Sequence, residues 1–496
     1  MSVTARVETD FSILKNALKP DRYNEDEVRL IERAYIFAEK AHEGQTRHTG
    51  NTYFSHVFAT AMKLANMQLP SEVIAAGLLH DVIEDANVPY ERLASEFNED
   101  IAGMVRSVTK LGHVKYRGLD RYVENLRKMF IAMAKDVRVI FIKFADRLHN
   151  METLYVVPEQ KRKRIAKEVM EIYAPIANRL GMGEFRGQFE DYSFKYLEPK
   201  EYNWTKHLLE QRVNRFGPSL DRAMKEVEQE LAKHSIQPVD VHGRIKYCYS
   251  LFNKLQKYGN DISKIYDIVA LRIIVDDVAD CYATLGALHS LYRPLPGRIK
   301  DYIAQPKPNG YQSLHTCVFT DDGSILEFQI RTHEMHEEAE FGVAAHWRYK
   351  EGGTVRDRRV KWMEELAVIQ KELKQGDFMK RLDELKLDMF RDRIFVFTPN
   401  GDVFDLPSGS TPIDFAYAIH TDIGDKAVSA KINHEIANLN SELRSGDMCE
   451  ITTDPHRKGP NGDWLKFVKT QHARDKIRDG VKKGYASILR HLISRS

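Results

Sequence analysis

Apolar positions recur at helical spacing almost without interruption from residue 24 to about 200, as at Leu126, Met129, Phe130 and Met133. Asn24 stands before Glu25, Asp26 and Glu27, which predicts an N-cap with acidic residues at the positive end of a helix. The run closes at Tyr196-Leu197-Glu198-Pro199, where the proline ring disfavours continuation, and a charged amphipathic helix is expected over 205–234. Near 240 the period changes. Alternating or β-branched runs at 265–276 and 325–331, divided by glycine and proline turns, predict a mixed α/β region to about 350. A charged helical spacer is expected over 356–387. Short strands follow at Arg393 to Thr398, Ala427 to Ile432 and Met448 to Thr452, with turns at Pro399-Asn400-Gly401 and Ser445-Gly446-Asp447. A basic helix from Trp464 onward is expected to end the chain.

Three segments of the helical region carry side chains suited to a metal: Tyr53-Phe54-Ser55-His56, His80-Asp81-Val82-Ile83-Glu84-Asp85, and Lys143-Phe144-Ala145-Asp146-Arg147-Leu148-His149-Asn150. On a helix His80 and Asp81 stand about 100° apart, close enough to reach one ion. Glu84 and Asp85 lie one turn further on and face the same cavity. A mixed imidazole and carboxylate set suits a borderline divalent ion such as Mn²⁺, which acidifies a bound water. The second acid pair would then orient or deprotonate that water. A lone His-Asp pair is usually a surface feature. Here, however, His80 and Asp146 follow apolar stretches (Ala75 to Leu79, Val139 to Ile142), where an unpaired polar group is costly.

These segments, with Val108-Thr109-Lys110-Leu111 and Glu124-Asn125-Leu126-Arg127-Lys128-Met129, resemble the HD hydrolase domain of the RelA/SpoT family. The resemblance implies Mn²⁺ ligation by His56, His80, Asp81 and Asp146, with Glu84 and Asp85 as catalytic acids. It also implies guanine stacking by Arg47 and nucleoside contacts from Asn150 and Thr153. The chain departs from the family at His48-Thr49-Gly50, where Lys-Ser-Gly is common, and at Ala86 and Phe144, which replace the usual Thr and Leu. The missing lysine is expected to affect rate rather than chemistry.

The α/β region holds a second set of motifs. They are Gly243-Arg244-Ile245-Lys246, Tyr266-Asp267-Ile268-Val269-Ala270-Leu271-Arg272, Pro296-Gly297-Arg298-Ile299-Lys300-Asp301-Tyr302, the stretch from Pro306 to Thr316, and Leu326-Glu327-Phe328-Gln329-Ile330-Arg331-Thr332. In the last, Leu326, Phe328 and Ile330 face one side while Glu327, Gln329 and Arg331 share the other. Arginines and lysines clamp phosphates, carboxylates hold Mg²⁺, and Arg or Tyr planes stack on purines. One such basic residue alone would be an ordinary solvated loop; five clusters within about 90 residues point to a polyphosphate site.

This set resembles the family's synthetase domain, nucleotidyltransferase-like with a mixed sheet. The resemblance implies Mg²⁺ at Asp267 and Glu327, with Glu327 also a candidate base for the attacking 3′-hydroxyl. Arg244 and Arg272 would sandwich the ATP adenine, and Lys246, Ser250, Lys254, Arg298 and Lys300 would meet its phosphates. Tyr311 would stack on the guanine of GDP or GTP, near Lys307, Asn309, His315 and Gln329. The Arg298-Ile299-Lys300-Asp301 stretch has the basic form typical of bifunctional members, with Ile299 where Phe is common.

The strand-rich third segment, with Asp414-Phe415-Ala416-Tyr417-Ala418-Ile419-His420, resembles a small β-grasp-like TGS domain. It is expected to be a small sheet with no chemistry of its own; in the family that module is regulatory and can contact the acceptor end of uncharged tRNA on the ribosome. The expected division is therefore a hydrolase domain at 1–200, a synthetase domain at 201–350, a helical linker at 351–390, TGS at 391–453, and the start of a helical region at 454–496. Long members continue into a zinc finger and a ligand-binding tail, so the chain is expected to be truncated or naturally short.

Composition narrows the picture without redirecting it. The net charge of +2 over 496 residues gives no reason to expect a general nucleic-acid coat protein. The four cysteines form no CxxC pair, as expected for a reduced cytoplasmic protein. No apolar run nears the ~20 residues that span a bilayer, so no membrane partner is expected; a homo-oligomer remains open. The combined expectation is one enzyme that makes and hydrolyses ppGpp and pppGpp, with the helices at about 165–200 coupling its two sites. The alternatives are a chain with one live site, most plausibly the hydrolase, or a non-catalytic regulator that binds nucleotides or ribosomes.

Overall fold

The structure is a computed structural model that describes residues 8–112, 132, 135–307, 309–321, 323–346, 393–400, 402–444, 446–457 and 459–493. The Leu126–Met133 recurrence, the Glu124–Met129 motif and the expected spacer at 356–387 lie outside them, apart from residue 132. The chain forms two units, Met1–Glu372 and Leu373–Ser496.

The first unit opens with helices α1 (Phe11–Ala17), α2 (Glu25–Ala41), α3 (Phe54–Asn66), α4 (Ser71–Leu79), α5 (Val82–Asp85), α6 (Tyr90–Glu96), α7 (Glu99–Gly112) and α8 (Arg138–Glu152). Asn24 caps α2 as expected, in a full capping box with Glu27. Then come α9 (Glu159–Glu168), a π-helical turn at Val169–Tyr173, α10 (Ala174–Arg179), α11 (Gly183–Leu197) and the 35-residue α12 (Pro199–Lys233). Pro199 ends α11 and sits in the first turn of α12, where its missing N–H costs nothing. The expected helix at 205–234 therefore starts six residues early. One local expectation fails: His80 and Asp81 do not share one helix. His80 is the C-cap of α4 and Asp81 the residue before α5, so the chain turns between them.

The sheet of this unit comprises β1 (Asp240–Ile245), β2 (Val269–Val275), β3 (Arg293–Pro294), β4 (Lys300–Asp301), β5 (Leu314–Phe319) and β6 (Ile325–Thr332). Its order is β1-β2-β6-β5-β3, with β4 on β5 and only β2 and β6 parallel. Helices α13 (Cys248–Lys257), α14 (Val278–Leu291), α15 (His333–Phe341) and α16 (Val343–His346) complete it. One face of the sheet packs Leu271, Ile273, Phe328 and Ile330 against Ala223, Val227 and Leu231 of α12 and Leu288 of α14. Glu327, Gln329 and Arg331 lie on the opposite face as the alternation requires, and all three are buried, so this is no solvated sheet face. Between α15 and α16, Gly342 has φ +56°, and a Cβ there would lie 2.0 Å from the Leu180 carbonyl oxygen. Only glycine fits that approach.

The second unit has a hairpin of β7 (Arg393–Phe397) and β8 (Val403–Pro407) and a sheet ordered β10 (Glu435–Ala437), β9 (Ala427–Ile432), β11 (Cys449–Thr453). Helices α17 (Pro412–Ile419) and α18 (Thr421–Lys426) lie between β8 and β9 in the chain. Fully buried Asp414 accepts the backbone N–H groups of Thr411, Lys469 and Thr470. The last helix, α19 (Gln471–Ile493), begins later than expected. Trp464 falls in a 3₁₀ turn and packs into the core with Ile413 and Tyr417, and the Thr470 hydroxyl accepts from Ala473 N–H to start α19.

Candidate active sites

Helices α3 and α8 and the α4–α5 turn meet around a small polar core. On α8, Lys143, Asp146 and Asn150 share one face by helical spacing. His56, His80 and Asp146 each present a donor atom within 4.8 Å of the others, and all three are buried. Asp81 joins through Oδ2, which lies 3.5 Å from His56 Nε2 and 3.3 Å from His80 Nε2. The structure thus brings together all four expected ligands.

The ring orientations suit a cation. His80 Nδ1 donates to the Gly77 carbonyl at 2.8 Å, which leaves Nε2 turned toward Asp81 Oδ2 at 3.3 Å. His56 Nδ1 lies 2.7 Å from His149 Nδ1. Burial, then the neighbouring His56 and Arg47, push His149 down to about 3, so it is neutral and accepts the His56 proton. His56 Nε2 is then free to coordinate, an outer-shell arrangement common in metal sites. Burial disfavours a charged His80, yet the Asp81 and Asp146 carboxylates lift it to about 9, so Nε2 holds a proton that a bound cation would displace. Two carboxylates facing two imidazoles fit a divalent ion.

Around this core, Asp146 is held by Lys143 at 2.6 Å and by Asn150 at 2.5 Å. Arg47 donates to Asn150 Oδ1 at 2.6 Å. Glu84 and Asp85 are exposed at the rim, and Tyr53 holds Asp85 through its hydroxyl, which also lies 3.0 Å from Asp81 Oδ2. Thr153 instead turns its hydroxyl back to the His149 carbonyl at 3.1 Å. Tyr53, Lys143 and His149 are site residues that motif reasoning passed over. Tyr53 and Lys143 each stand three residues before a ligand, a spacing that could have flagged them.

The second site is a cleft on the polar side of the β-sheet of the first unit. Lys254, Asp267, Arg298, Lys300, His315 and Glu327 line it, together with Tyr266, whose ring lies 5.5 Å from the Arg298 guanidinium. Register explains the grouping: Arg244, Ala270, Glu327 and Cys317 form one row across four strands, and His242, Arg272, Gln329, His315 and Lys300 the next. Asp267 accepts from Lys246 at 2.8 Å and from Lys254. Burial opposes its charge, but those two ammonium groups hold it well below the usual carboxylate range. Glu327 Oε1 meets His315 Nδ1 at 2.9 Å and Gln329 Nε2 at 3.0 Å, and His315 Nε2 meets the Tyr311 hydroxyl at 2.8 Å. The Asn309 side chain accepts from Tyr311 N–H and holds that turn. Lys307 stands 4.6 Å from the Tyr302 ring centre and 4.9 Å from that of Tyr311. Partial enclosure and then Lys300 and Lys246 push it down to about 8.

Arg244 and Ser250 are half-buried. Arg272 is drawn away to Glu340 of α15 at 3.0 Å, a contact outside every motif. In the second unit His420 accepts from Asp422 N–H as the cap of α18.

Comparison with known proteins follows this division. Residues 34–183 match an HD domain, 243–354 the region found in RelA / SpoT proteins, and 394–453 a TGS domain. Across 457 residues the chain is 46% identical to a guanosine-3′,5′-bis(diphosphate) 3′-pyrophosphohydrolase of Aquifex aeolicus (strain VF5), covering 91% of this chain and 64% of that one. These three regions, in this order, make the chain similar over nearly its whole length to RelA/SpoT-type proteins. Other relatives include the bifunctional (p)ppGpp synthase/hydrolase SpoT of Escherichia coli (strain K12), 43% identical over 92% of this chain and 65% of its own length. A GTP pyrophosphokinase of Myxococcus xanthus is 42% identical over 93% and 62%. The chain thus spans somewhat under two thirds of these relatives. Their HD and RelA/SpoT regions imply use of divalent metals. Among the described residues no helix is long and apolar enough to cross a membrane.

Proposed function

We propose that this chain both makes and hydrolyses (p)ppGpp. One site transfers pyrophosphate from ATP to the 3′-hydroxyl of GDP or GTP, giving AMP and (p)ppGpp; the other releases that pyrophosphate again and returns GDP or GTP. The observation that carries the reading is the presence in one chain of two separate acid sets, each already assembled with its own cations and donors.

At the hydrolase site His56, His80, Asp81 and Asp146 would hold Mn²⁺. The bound ion supplies a Lewis acid and an acidified water. The chain's own residues do the rest. Tyr53 fixes Asp85 at the rim, where Asp85 and Glu84 exchange protons with solvent and with the departing pyrophosphate. Arg47, held by Asn150, offers a guanidinium plane to the guanine. At the synthetase cleft Asp267 and Glu327 would hold Mg²⁺, which neutralises phosphate charge. Lys246, Lys254, Arg298, Lys300 and Lys307 grip the phosphates. Arg244 serves the adenine, Arg272 joins it once it leaves Glu340, and Tyr311 stacks on the guanine beside Asn309. Glu327, kept ionised by His315 and Gln329, accepts the proton of the attacking 3′-hydroxyl. Ser250 lies on α13, which also carries Lys254, and Thr153 steadies the end of α8. By family resemblance alone, the TGS module is assigned a contact with tRNA on the ribosome, and the protein a cytoplasmic place.

Nucleotide chromatography of the purified protein tests this. ATP, GDP and Mg²⁺ should give AMP and ppGpp; ppGpp and Mn²⁺ should give GDP and pyrophosphate. Silence in either reaction removes that half of the proposal.

A further inference from the structure

Helix α13 begins without a cap of its own. The residue before Cys248 is Tyr247, and its side chain makes no capping bond, whereas first-turn N–H groups need an acceptor. The acceptor comes from α11. Asp191 Oδ2 accepts Cys248 N–H at 2.9 Å and Oδ1 accepts Tyr249 N–H at 2.8 Å. Burial raises the Asp191 carboxyl to about 6, and the Tyr249 and Cys248 N–H groups at the positive end of α13 offset that rise in part.

The two helices are fitted to each other around this contact. Gly187 of α11 leaves room for the Tyr247 ring, and a Cβ there would lie 2.1 Å from Tyr247 Cε2. Phe194 meets Tyr249 and Phe252 at ring distances of 5.3 and 4.9 Å. Elsewhere on α11, Phe185 and Phe189 pack on Phe144 of α8 at 5.9 and 5.4 Å, two residues from Asp146. Helix α13 in turn carries Ser250 in its first turn and Lys254 one turn later, and Lys254 meets Asp267.

We propose that Asp191 is a positioning residue for pyrophosphate transfer: a carboxylate on a helix packed against the hydrolase site that fixes the first turn of α13, and with it Ser250 and Lys254 at the nucleotide phosphates. The proposal rests on the synthetase reading of the cleft. It differs from an ordinary cap in that the capping group lies 57 residues away in sequence, on a helix that also touches the metal-site helix.

The test uses Asp191→Ala and Asp191→Asn in the full chain. It measures KM for ATP and kcat of synthesis, ppGpp hydrolysis on the same preparations, and hydrogen–deuterium exchange across residues 247–257. Asp191→Ala should raise the KM for ATP about tenfold, which converts to about 1.4 kcal/mol, the size of a lost cap. Hydrolysis should stay at the wild-type rate, and the first-turn amides of α13 should exchange faster. Asp191→Asn, whose amide oxygen still accepts an N–H, should recover most of the affinity. Wild-type KM and exchange in Asp191→Ala would overturn the proposal. So would equal loss of both activities in both variants, which marks a purely structural residue. A wild-type protein that makes no ppGpp defeats the synthetase reading itself, an outcome told apart because it needs no variant.

Discussion

The two sites balance charge in opposite ways. In the histidine-lined core Asp81 faces the imidazoles of His56 and His80, and Asp146 is paired with Lys143. In the synthetase cleft each acid is already matched: Asp267 by Lys246 and Lys254, Glu327 by His315 and Gln329. The first arrangement meets Asp81 with imidazoles, which can turn their lone pairs to a metal; the second must give up its lysine partners before it can grip a metal and phosphates. Burial makes that difference matter, because an unmatched polar atom away from water costs stability. It implies that the first site gains more from metal alone, and the second more from metal together with nucleotide.

The sharpest break in this comparison comes from the acids themselves. Asp81→Ala should abolish hydrolysis and leave synthesis intact, and Glu327→Gln should do the reverse, each by about 10²–10⁴-fold on product chromatography. If either change removed both activities, the two sites would not be separate. Metal addition is the next test. Mn²⁺ at 100 times its dissociation constant should stabilise the apo protein by about 2.7 kcal/mol, read as a rise in Tm. Asp146→Asn should erase that rise and Asp267→Asn should not. Tyr53→Phe removes the hydroxyl shared by Asp81 and Asp85, and should slow hydrolysis about tenfold with synthesis unchanged. The smallest effect concerns Lys307. Its lowered value means that the phosphate-gripping cation is present below about pH 8 and lost above it, instead of near the ordinary lysine value. The KM for GDP should therefore rise several-fold between about pH 7 and 9, and Lys307→Arg, which stays charged, should flatten that profile.

Much of the site was legible because its residues sit in short runs with fixed spacing. Strand alternation placed Glu327 and Gln329 on the face opposite Phe328 and Ile330 without reference to any neighbour. The Asn24 capping box was equally local. Reasoning from local spacing failed where a turn or a distant partner intervened. His80 and Asp81 reach the same polar core across a helix junction and not along one helix, since α4 ends at Leu79. Trp464 forms no part of the last helix, because burial beside Tyr417 claims it first.

The sequence by itself determined which groups could do chemistry, and on which face of each element they would stand. Covalent geometry and the periods of helix and strand are enough for that. Only the tertiary structure decided which of those groups meet. It set Tyr53 between two acids, turned Arg272 toward Glu340, and gave an uncapped helix the carboxylate of Asp191. Such pairings join residues tens of positions apart, and they are selected by burial, which leaves no polar atom cheaply alone.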